Sequence, residues 1–405
     1  MQELLETWSL DKHYKSIHVL SETSSKSESL TPRKIVETMV ETILQQCDIT
    51  IIKNPNFKVL DPACGTGSFL IAWYEVLIKY HSHEHIINNM LYGFDTDFKR
   101  FRACINYYEF KNVYKESFLE TNKLDSMKFD VTLGNPPYEG KKELHQKFFN
   151  RSVDLLKDGG SLIFIQPATP YLNNKSGKSN QQLMRQNVLK YKTSVQFINP
   201  DVFENVVIGN TLVITHLVKT HNDNNKLQHV QFESGKIYKD VVLKNINYNG
   251  MDLEVFIPLR DKIESYIQKN GSCLDIYYRD DKRTSTHLCM FPRVRGHMNN
   301  PDFYTFIPRD AKYLSSSVNE YHNLGLKVNS DLEIENIYHY LRTFVARFCL
   351  SITKCSIVNL GEFRMIPLVD FSKKWTDDSL CEEFGITEYE YSKILELIPP
   401  YYEFD

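Results

Sequence analysis

The sequence predicts an α/β fold: a mostly parallel, doubly wound sheet, followed by a second domain of mixed α and β structure. Three observations carry this. From Lys58 onward, short apolar runs alternate with helical segments, the pattern of βαβ units. A D-x-x-x-G-x-G turn, Asp61 to Gly67, joins the first run to an apolar helix. The alternation stops at the polar, turn-rich run THNDNNKLQH (220–229), and a chain of 405 residues exceeds what one core usually organises.

The elements follow in order. Residues 1–30 read as a flexible N-terminal arm, because LSETSSKSESL (20–30) is polar and Ser-rich. Thr31-Pro32 offers an N-cap with proline at the first helical position, and Ile35, Val36, Met39, Val40, Ile43 and Leu44 recur at helical spacing. Strands are expected at Lys58–Leu60, Leu91–Phe94, Phe129–Leu133, Ser161–Gln166, Ser194–Asn199 and Thr211–Leu217, with helices between most of them. The first domain is therefore expected over 31–219 and the second over 220–405, the latter with helices at Leu332–Leu350 and Thr387–Leu397.

Composition narrows the function classes. Hydrophobic residues make up 42% and charged residues 24%, as in an ordinary globular protein. With 48 Lys and Arg against 51 Asp and Glu, the formal charge is -3, so any nucleic-acid surface must be a local basic patch. The opening residues carry no secretory pattern, and no apolar run reaches the roughly 18 residues of a membrane span. The eight cysteines form no C-x-x-C pair that would suggest zinc or redox work, so a reduced, cytoplasmic setting is expected.

Chemistry concentrates at three strand ends. In VLDPACGTGSFLIAWY (59–74), Gly65 and Gly67 let the backbone turn sharply, and the helix behind them presents N–H groups and a positive dipole end to an anionic group. In YGFDTD (92–97), Asp95 stands just past a strand, where a carboxylate commonly accepts from ribose hydroxyls; a plain helix cap is the bland reading. In GNPPYEG (134–140), two successive prolines stiffen the chain and force Asn135 into an extended conformation. Its side chain and the neighbouring carbonyls then become fixed acceptors, with the aromatic face of Tyr138 beside them. Two such acceptors can hold the hydrogens of an exocyclic amine and aim its delocalised lone pair at a methyl group.

The order of TP (31–32), DPACGTGSF (61–69), GFDTD (93–97) and NPPY (135–138) resembles the DNA N6-adenine methyltransferases of restriction-modification systems, in which the cofactor motif precedes the catalytic one. The resemblance implies a Rossmann-like methyltransferase sheet with an antiparallel edge hairpin, S-adenosyl-L-methionine as cofactor, no metal, and a C-terminal target-recognition domain. It places Thr31, Asp61, Ala63, Gly65, Gly67 and Asp95 at the cofactor, Asn135, Pro136 and Pro137 at the adenine amine, and Tyr138 on the base. INPDVFENVVIGNTLVIT (198–215) resembles the hairpin whose aromatic residue packs on the other face of a flipped adenine, a place held here by Phe203. One position departs: where the family has Asp-Phe after the third strand, this chain has Ser117-Phe118, so Phe118 can line the cofactor's adenine but the usual carboxylate is missing. The adjacent Glu116 is the alternative source of that carboxylate. LRTFVARFCLSITK (341–354), GEFRMIPLVDFSKKWTDDSL (361–380) and FGITEYEYSKIL (384–395) resemble the tails of certain adenine methylases more loosely.

The implied partners are double-stranded DNA and a cognate restriction endonuclease. Arg279, Lys282, Arg283, Arg293 and Arg295 lie among aromatic residues in 277–298 and suit phosphate and base contacts, against the reading of a solvated charged loop. Three rivals stand beside a DNA adenine methyltransferase: the same chemistry on an RNA base or a protein glutamine, a catalytically silent DNA-binding subunit, and a nuclease built on Asp280-Asp281-Lys282 or Asp310-Ala311-Lys312.

Overall fold

A computed structural model describes residues 11–14, 30–138, 144–172, 179–199, 202–203, 211–247, 251–272, 288–292, 322–327, 330–353, 365–398 and 400. The chain folds as two compact units, the first running to Leu243 apart from residues 171–175.

The first unit is organised by apolar faces that need a partner. Helix α1 (Arg33–Leu44) buries Val36, Met39, Val40 and Ile43, one stripe at helical spacing, and packs against α2 (Ser68–Leu77). α2 follows β1 (Val59–Asp61) and is buried on nearly every side, from Ser68 through Tyr74 and at Leu77. Each such Leu, Ile or Phe contributes about 1.5–3 kcal/mol by leaving water. β2 (Leu91–Phe94), α3 (Phe98–Tyr108), β3 (Asn112–Tyr114), β4 (Phe129–Gly134), α4 (Leu144–Leu155) and β5 (Leu156–Pro167) follow. α5 (Ser179–Lys190), β6 (Tyr191–Ile198), β7 (Leu212–His221), β8 (Leu227–Gln231) and β9 (Ile237–Val241) complete the unit.

The strands form a nine-stranded sheet in the order β3-β2-β1-β4-β5-β7-β6-β8-β9. β3, β2, β1, β4 and β5 are mutually parallel, and β7 runs antiparallel between β5 and β6. The expected antiparallel pair is present, but it does not close the sheet, because β8 joins β6 and β9 joins β8. The sheet thus continues past the expected end near Lys219. The chain leaves β1 for β2 on one side and returns to β4 on the other, which puts a crevice at the carboxyl ends of these strands. In the register, Asp61 lies opposite Gly93, and Leu60 pairs with Thr132.

Two local expectations change. α1 begins at Arg33 after Pro32, whose carbonyl accepts from the Ile35 and Val36 amides at 2.9 and 3.1 Å, so Thr31 is not the N-cap. Residues 11–14 are helical and His13 is buried, its Nε2 2.8 Å from Ser68 Oγ, so this part of the N-terminal segment is packed rather than a free arm.

In the second unit, α6 (Leu253–Asn270) precedes an antiparallel pair, β10 (Leu288–Pro292) and β11 (His322–Lys327). The helix expected over Leu332–Leu350 is two helices, α7 (Asp331–Arg342) and α8 (Phe344–Thr353). Thr343 turns extended between them, and the amides of Phe344 and Val345 that open α8 are held by the Asp377 carboxylate at 3.2 and 2.9 Å. α9 (Asp377–Phe384) and α10 (Glu388–Leu397) each begin with a capping box, on Thr376 and Thr387. Lys262 of α6 pairs with Glu390 of α10 at 2.6 Å. No helix among the described residues is long and apolar enough to cross a membrane.

Gly67 closes the turn before α2 with φ +98°, and a β-carbon there would stand 2.9 Å from Cys104 Sγ. Gly67→Ala is expected to lower stability by about 2–4 kcal/mol through left-handed backbone strain plus overpacking. Cys104→Ala in the same chain should restore part of it. An unfolding free energy from urea titration within about 0.5 kcal/mol of the parent, the range of an inert surface change, would refute this account of the turn.

Candidate active site

The site assembles where β1, β2 and β4 end. Asp61, the last residue of β1, is 1% exposed; its Oδ1 accepts from the Ala63 amide at 3.1 Å, and its Oδ2 has no partner. Burial pushes the Asp61 carboxyl up to about 8, with the Ala63 bond opposing and the charge of Asp95 adding to the rise. The Cys64 amide donates to the Phe94 carbonyl at 2.9 Å, which ties the turn to β2. Gly65 adopts φ +53°, and Thr66 Oγ1 is buried without a partner. The first turn of α2 lies directly behind.

Asp95 receives four N–H groups. The Gly65 amide reaches Oδ2 at 3.0 Å, and the Asp97 amide reaches Oδ1 at 2.7 Å. Arg100, on α3, brings Nε to 3.3 and 3.2 Å of Oδ1 and Oδ2, and Nη2 to 3.1 Å of Oδ1. Asp97 in turn caps α3 by accepting from the Arg100 amide at 2.9 Å.

At the end of β4, Pro136 is buried, Pro137 exposed, and Asn135 and Tyr138 partly buried. The Asn135 amide is held at both ends. Its Nδ2 donates to Thr31 Oγ1 at 3.2 Å, and its Oδ1 accepts from the Tyr138 hydroxyl. Thr31 is itself positioned by Tyr14, whose hydroxyl donates to the Thr31 carbonyl at 2.5 Å. Tyr138 packs against the main apolar cluster, and burial pushes its phenol well above the ordinary range. The His145 ring stands edge-on to Tyr138 at 6.5 Å; it is buried, has no partner at either nitrogen, and burial lowers its pKa to about 4. His13 is likewise held neutral by burial, at about 3.

Thr31, Asp61, Ala63, Gly65, Gly67, Asp95, Asn135, Pro136 and Tyr138 therefore lie on one connected stretch of turns and strand ends. The flanking candidates differ. Phe118 is buried between Phe94 and Phe148, at 5.9 and 5.4 Å, with the Arg151 guanidinium over its ring at 5.3 Å. Ser117 opens a turn, its carbonyl accepting from the Glu120 and Thr121 amides at 3.1 Å each. The Glu116 carboxylate is bound by Lys123 at 2.8 Å and Thr121 at 2.7 Å, which hold it below the usual carboxylate range. Phe203 is 3% exposed and belongs to the apolar cluster that Tyr138 packs against, so neighbouring side chains already cover its ring. Arg279, Lys282, Arg283, Arg293 and Arg295, and both D-x-K triplets, lie outside the described residues.

Sequence reading missed Thr66, Arg100, Tyr14 and His145. Thr66 had a local signal as the residue between the two glycines, and Arg100 lies only five positions beyond Asp95; Tyr14 and His145 carry no motif. The donor set suits a nucleoside cofactor carrying both an amine and a carboxylate. Asp61 offers an open carboxylate oxygen, Thr66 an open hydroxyl, Asp95 a second carboxylate, and the start of α2 its N–H groups.

Residues 16–215 match the N-6 DNA Methylase family model. The chain is 29% identical over 226 residues to a type II restriction enzyme and methyltransferase of Heyndrickxia coagulans, a match covering 50% of this chain and 33% of that protein. It is 30% identical over 171 residues to release factor glutamine methyltransferase of Buchnera aphidicola subsp. Schizaphis graminum, covering 40% of this chain and 51% of that protein. The type I restriction-modification system methyltransferase subunit from Streptococcus thermophilus aligns with a TM-score of 0.43 at 15% identity, covering 57% of this chain and 54% of the other. The chain spans about a third to a half of the length of the curated relatives it matches.

The Asp61 carboxyl gives a pH test. Its folded pKa of about 8 lies above the ordinary value of 3.8, so the folded state holds more protons between those values and stability falls as pH rises from about 4 to about 8. Asp61→Asn keeps the acceptor for Ala63 and removes the titration. The stability difference between the variant and the parent, from urea unfolding at a series of pH values, is expected to widen in favour of the variant across that window and to level off outside it. A constant difference would mean that Asp61 ionises freely in the fold.

Proposed function

Residues 16–215 belong to the N-6 DNA methylase family, and from that premise we propose that this chain transfers a methyl group from S-adenosyl-L-methionine to the N6 amine of an adenine flipped out of duplex DNA. The observation that carries the proposal is the fixed Asn135 amide: Thr31 holds its nitrogen end, and its oxygen end is presented as an acceptor beside Tyr138.

Asp95 is assigned to the cofactor's ribose, Asp61 to its amino group, and the turn from Ala63 to Gly67 with the start of α2 to its carboxylate. When bound, the cofactor supplies a methyl group on a positively charged sulfur. Everything else falls to this chain. Asn135 Oδ1 and the Pro136 carbonyl accept the two hydrogens of the amine, which localises its lone pair on the nitrogen, out of conjugation with the ring, and aims it. Proximity and orientation supply most of the rate. No base has to act before transfer, because the amine becomes acidic only once it carries the methyl group.

Tyr138 is assigned to one face of the base; for Phe203 to take the other, its ring has to leave the apolar cluster that covers it. The Tyr138 hydroxyl donates to Asn135 Oδ1, and the incoming amine either takes over that bond or uses the second lone pair of the oxygen. The residues beyond Leu243, with Arg279, Lys282, Arg283, Arg293 and Arg295, are assigned to target recognition, and a restriction endonuclease is the expected functional partner. The relationship to glutamine methyltransferases leaves a protein amide as the alternative acceptor.

Asn135→Ala is expected to abolish transfer while leaving cofactor affinity intact. Labelled methyl incorporation into duplex DNA, RNA and protein, beside calorimetry with the cofactor, tests both points; activity within threefold of the parent, about 0.65 kcal/mol, would rule out the assigned role. Incorporation into protein alone would move the substrate to an amide.

Arg293→Ala and Arg295→Ala should each weaken duplex binding and reduce the slope of log affinity against log salt by about 0.9 per lost phosphate contact. An unaltered slope in both would take this segment off the DNA.

A further inference from the structure

We infer that Arg100 is a further residue of the cofactor site, one that competes with the ribose for Asp95 and so sets cofactor affinity. The inference rests on the reading of Asp95 as the ribose acceptor and adds what that acceptor is already doing.

A carboxylate offers about four lone-pair positions. Those of Asp95 are engaged by the Gly65 amide at 3.0 Å, the Asp97 amide at 2.7 Å, and Nε and Nη2 of Arg100 at 3.1–3.3 Å. A ribose diol needs two of them, so something must let go. The Gly65 and Asp97 amides are backbone groups within the cofactor turn and at the cap of α3, and releasing either would undo the local fold. Arg100 is different. It is a side chain, 33% exposed, on a stem that can swing into water without moving the backbone. It also adjoins the glycine turn: a β-carbon built on Gly65 would meet Arg100 Cδ at 4.0 Å.

The arrangement keeps Asp95, buried at the end of β2, from standing as an uncompensated charge. The same contact holds cofactor affinity down. The ribose replaces the guanidinium at the carboxylate, and the guanidinium recovers its hydration. Because the pair is partly exposed, salt weakens it, whereas hydrogen bonds from a neutral diol to the carboxylate are far less sensitive.

Calorimetric titration of the full chain with S-adenosyl-L-methionine tests this in two independent ways. Arg100→Met keeps the stem and removes the donors, and should bind about three- to fivefold more tightly than the parent, the range of a partly exposed ion pair. Between about 0.05 and 0.5 M salt, cofactor affinity of the unmodified chain should rise relative to that of Arg100→Met, whose salt response reports only the cofactor's own charged groups. Arg100→Gln, which also removes the charge, takes the same comparison if Arg100→Met fails to fold. Weaker binding by Arg100→Met would make the arginine a direct ligand of the cofactor and overturn the proposal. Equal affinity and the same salt response in both proteins would make it a bystander and overturn it too. Failure of the parent to bind the cofactor at all would instead remove the proposed function.

Discussion

The site depends on one close approach, that of Gly134 to Asp61. A β-carbon at Gly134 would fall 2.8 Å from Asp61 Oδ1, so the strand that carries Asn135 can lie beside the strand that carries the cofactor turn only because this residue has no side chain. The parallel register of β1 with β4 fixes the neighbours along the strands, and the missing methyl group sets how near the two ends come. A methyl transfer between two bound groups requires them to meet within a few tenths of an ångström of the reacting distance. In the proposed reaction, that distance would follow from the backbone packing of Gly134 on Asp61.

The two buried carboxylates at this edge are treated oppositely. Asp95 is saturated by four N–H groups, while Asp61 keeps one oxygen without a partner and is pushed toward its neutral form by burial. An open buried acceptor of this kind costs about 1–3 kcal/mol in the fold, and such a group is retained where a ligand completes it. The contrast implies a division of labour. Asp61 is the carboxylate poised to gain from an incoming cation, and Asp95 is the one that must exchange a partner to gain anything.

Much of this is legible in the sequence because the chemistry sits in contiguous motifs at strand ends. The span of β2 matches its sequence expectation, and the ends of β1 and β4 lie within a residue of theirs. What the sequence does not show has physical reasons. β9 shows the burial pattern of an outermost strand, four of its five residues being exposed or partly so, and therefore lacks an apolar signature. Thr343 breaks an otherwise continuous helical period because a carboxylate from a distant segment caps the second helix, a contact that no local pattern records. The same holds at the site: Thr31 meets Asn135 across 104 positions, and Ser117 gives no hint that Glu116 is bound by Lys123 rather than left for a ligand.

The state of Asn135 bears on how such a site gains rate rather than affinity. Its oxygen is not left bare, since the Tyr138 hydroxyl donates to it, and its nitrogen is anchored on Thr31, which Tyr14 holds in turn. In the proposed reaction, an entering amine exchanges with the Tyr138 hydroxyl or adds to the second lone pair of the oxygen, and either change in neutral hydrogen bonding is worth at most about 0.5–1.5 kcal/mol. Binding of the amine therefore gains little from this residue. The gain appears only as the amine becomes positively charged on accepting the methyl group, because an acceptor bonded to a charged donor is worth roughly twice one bonded to a neutral donor. An acceptor that is satisfied before, and stronger during, the transfer discriminates between ground and transition states, which is the condition for raising the rate. The amide does this without titrating, so its contribution is the same across the whole pH range in which the fold survives.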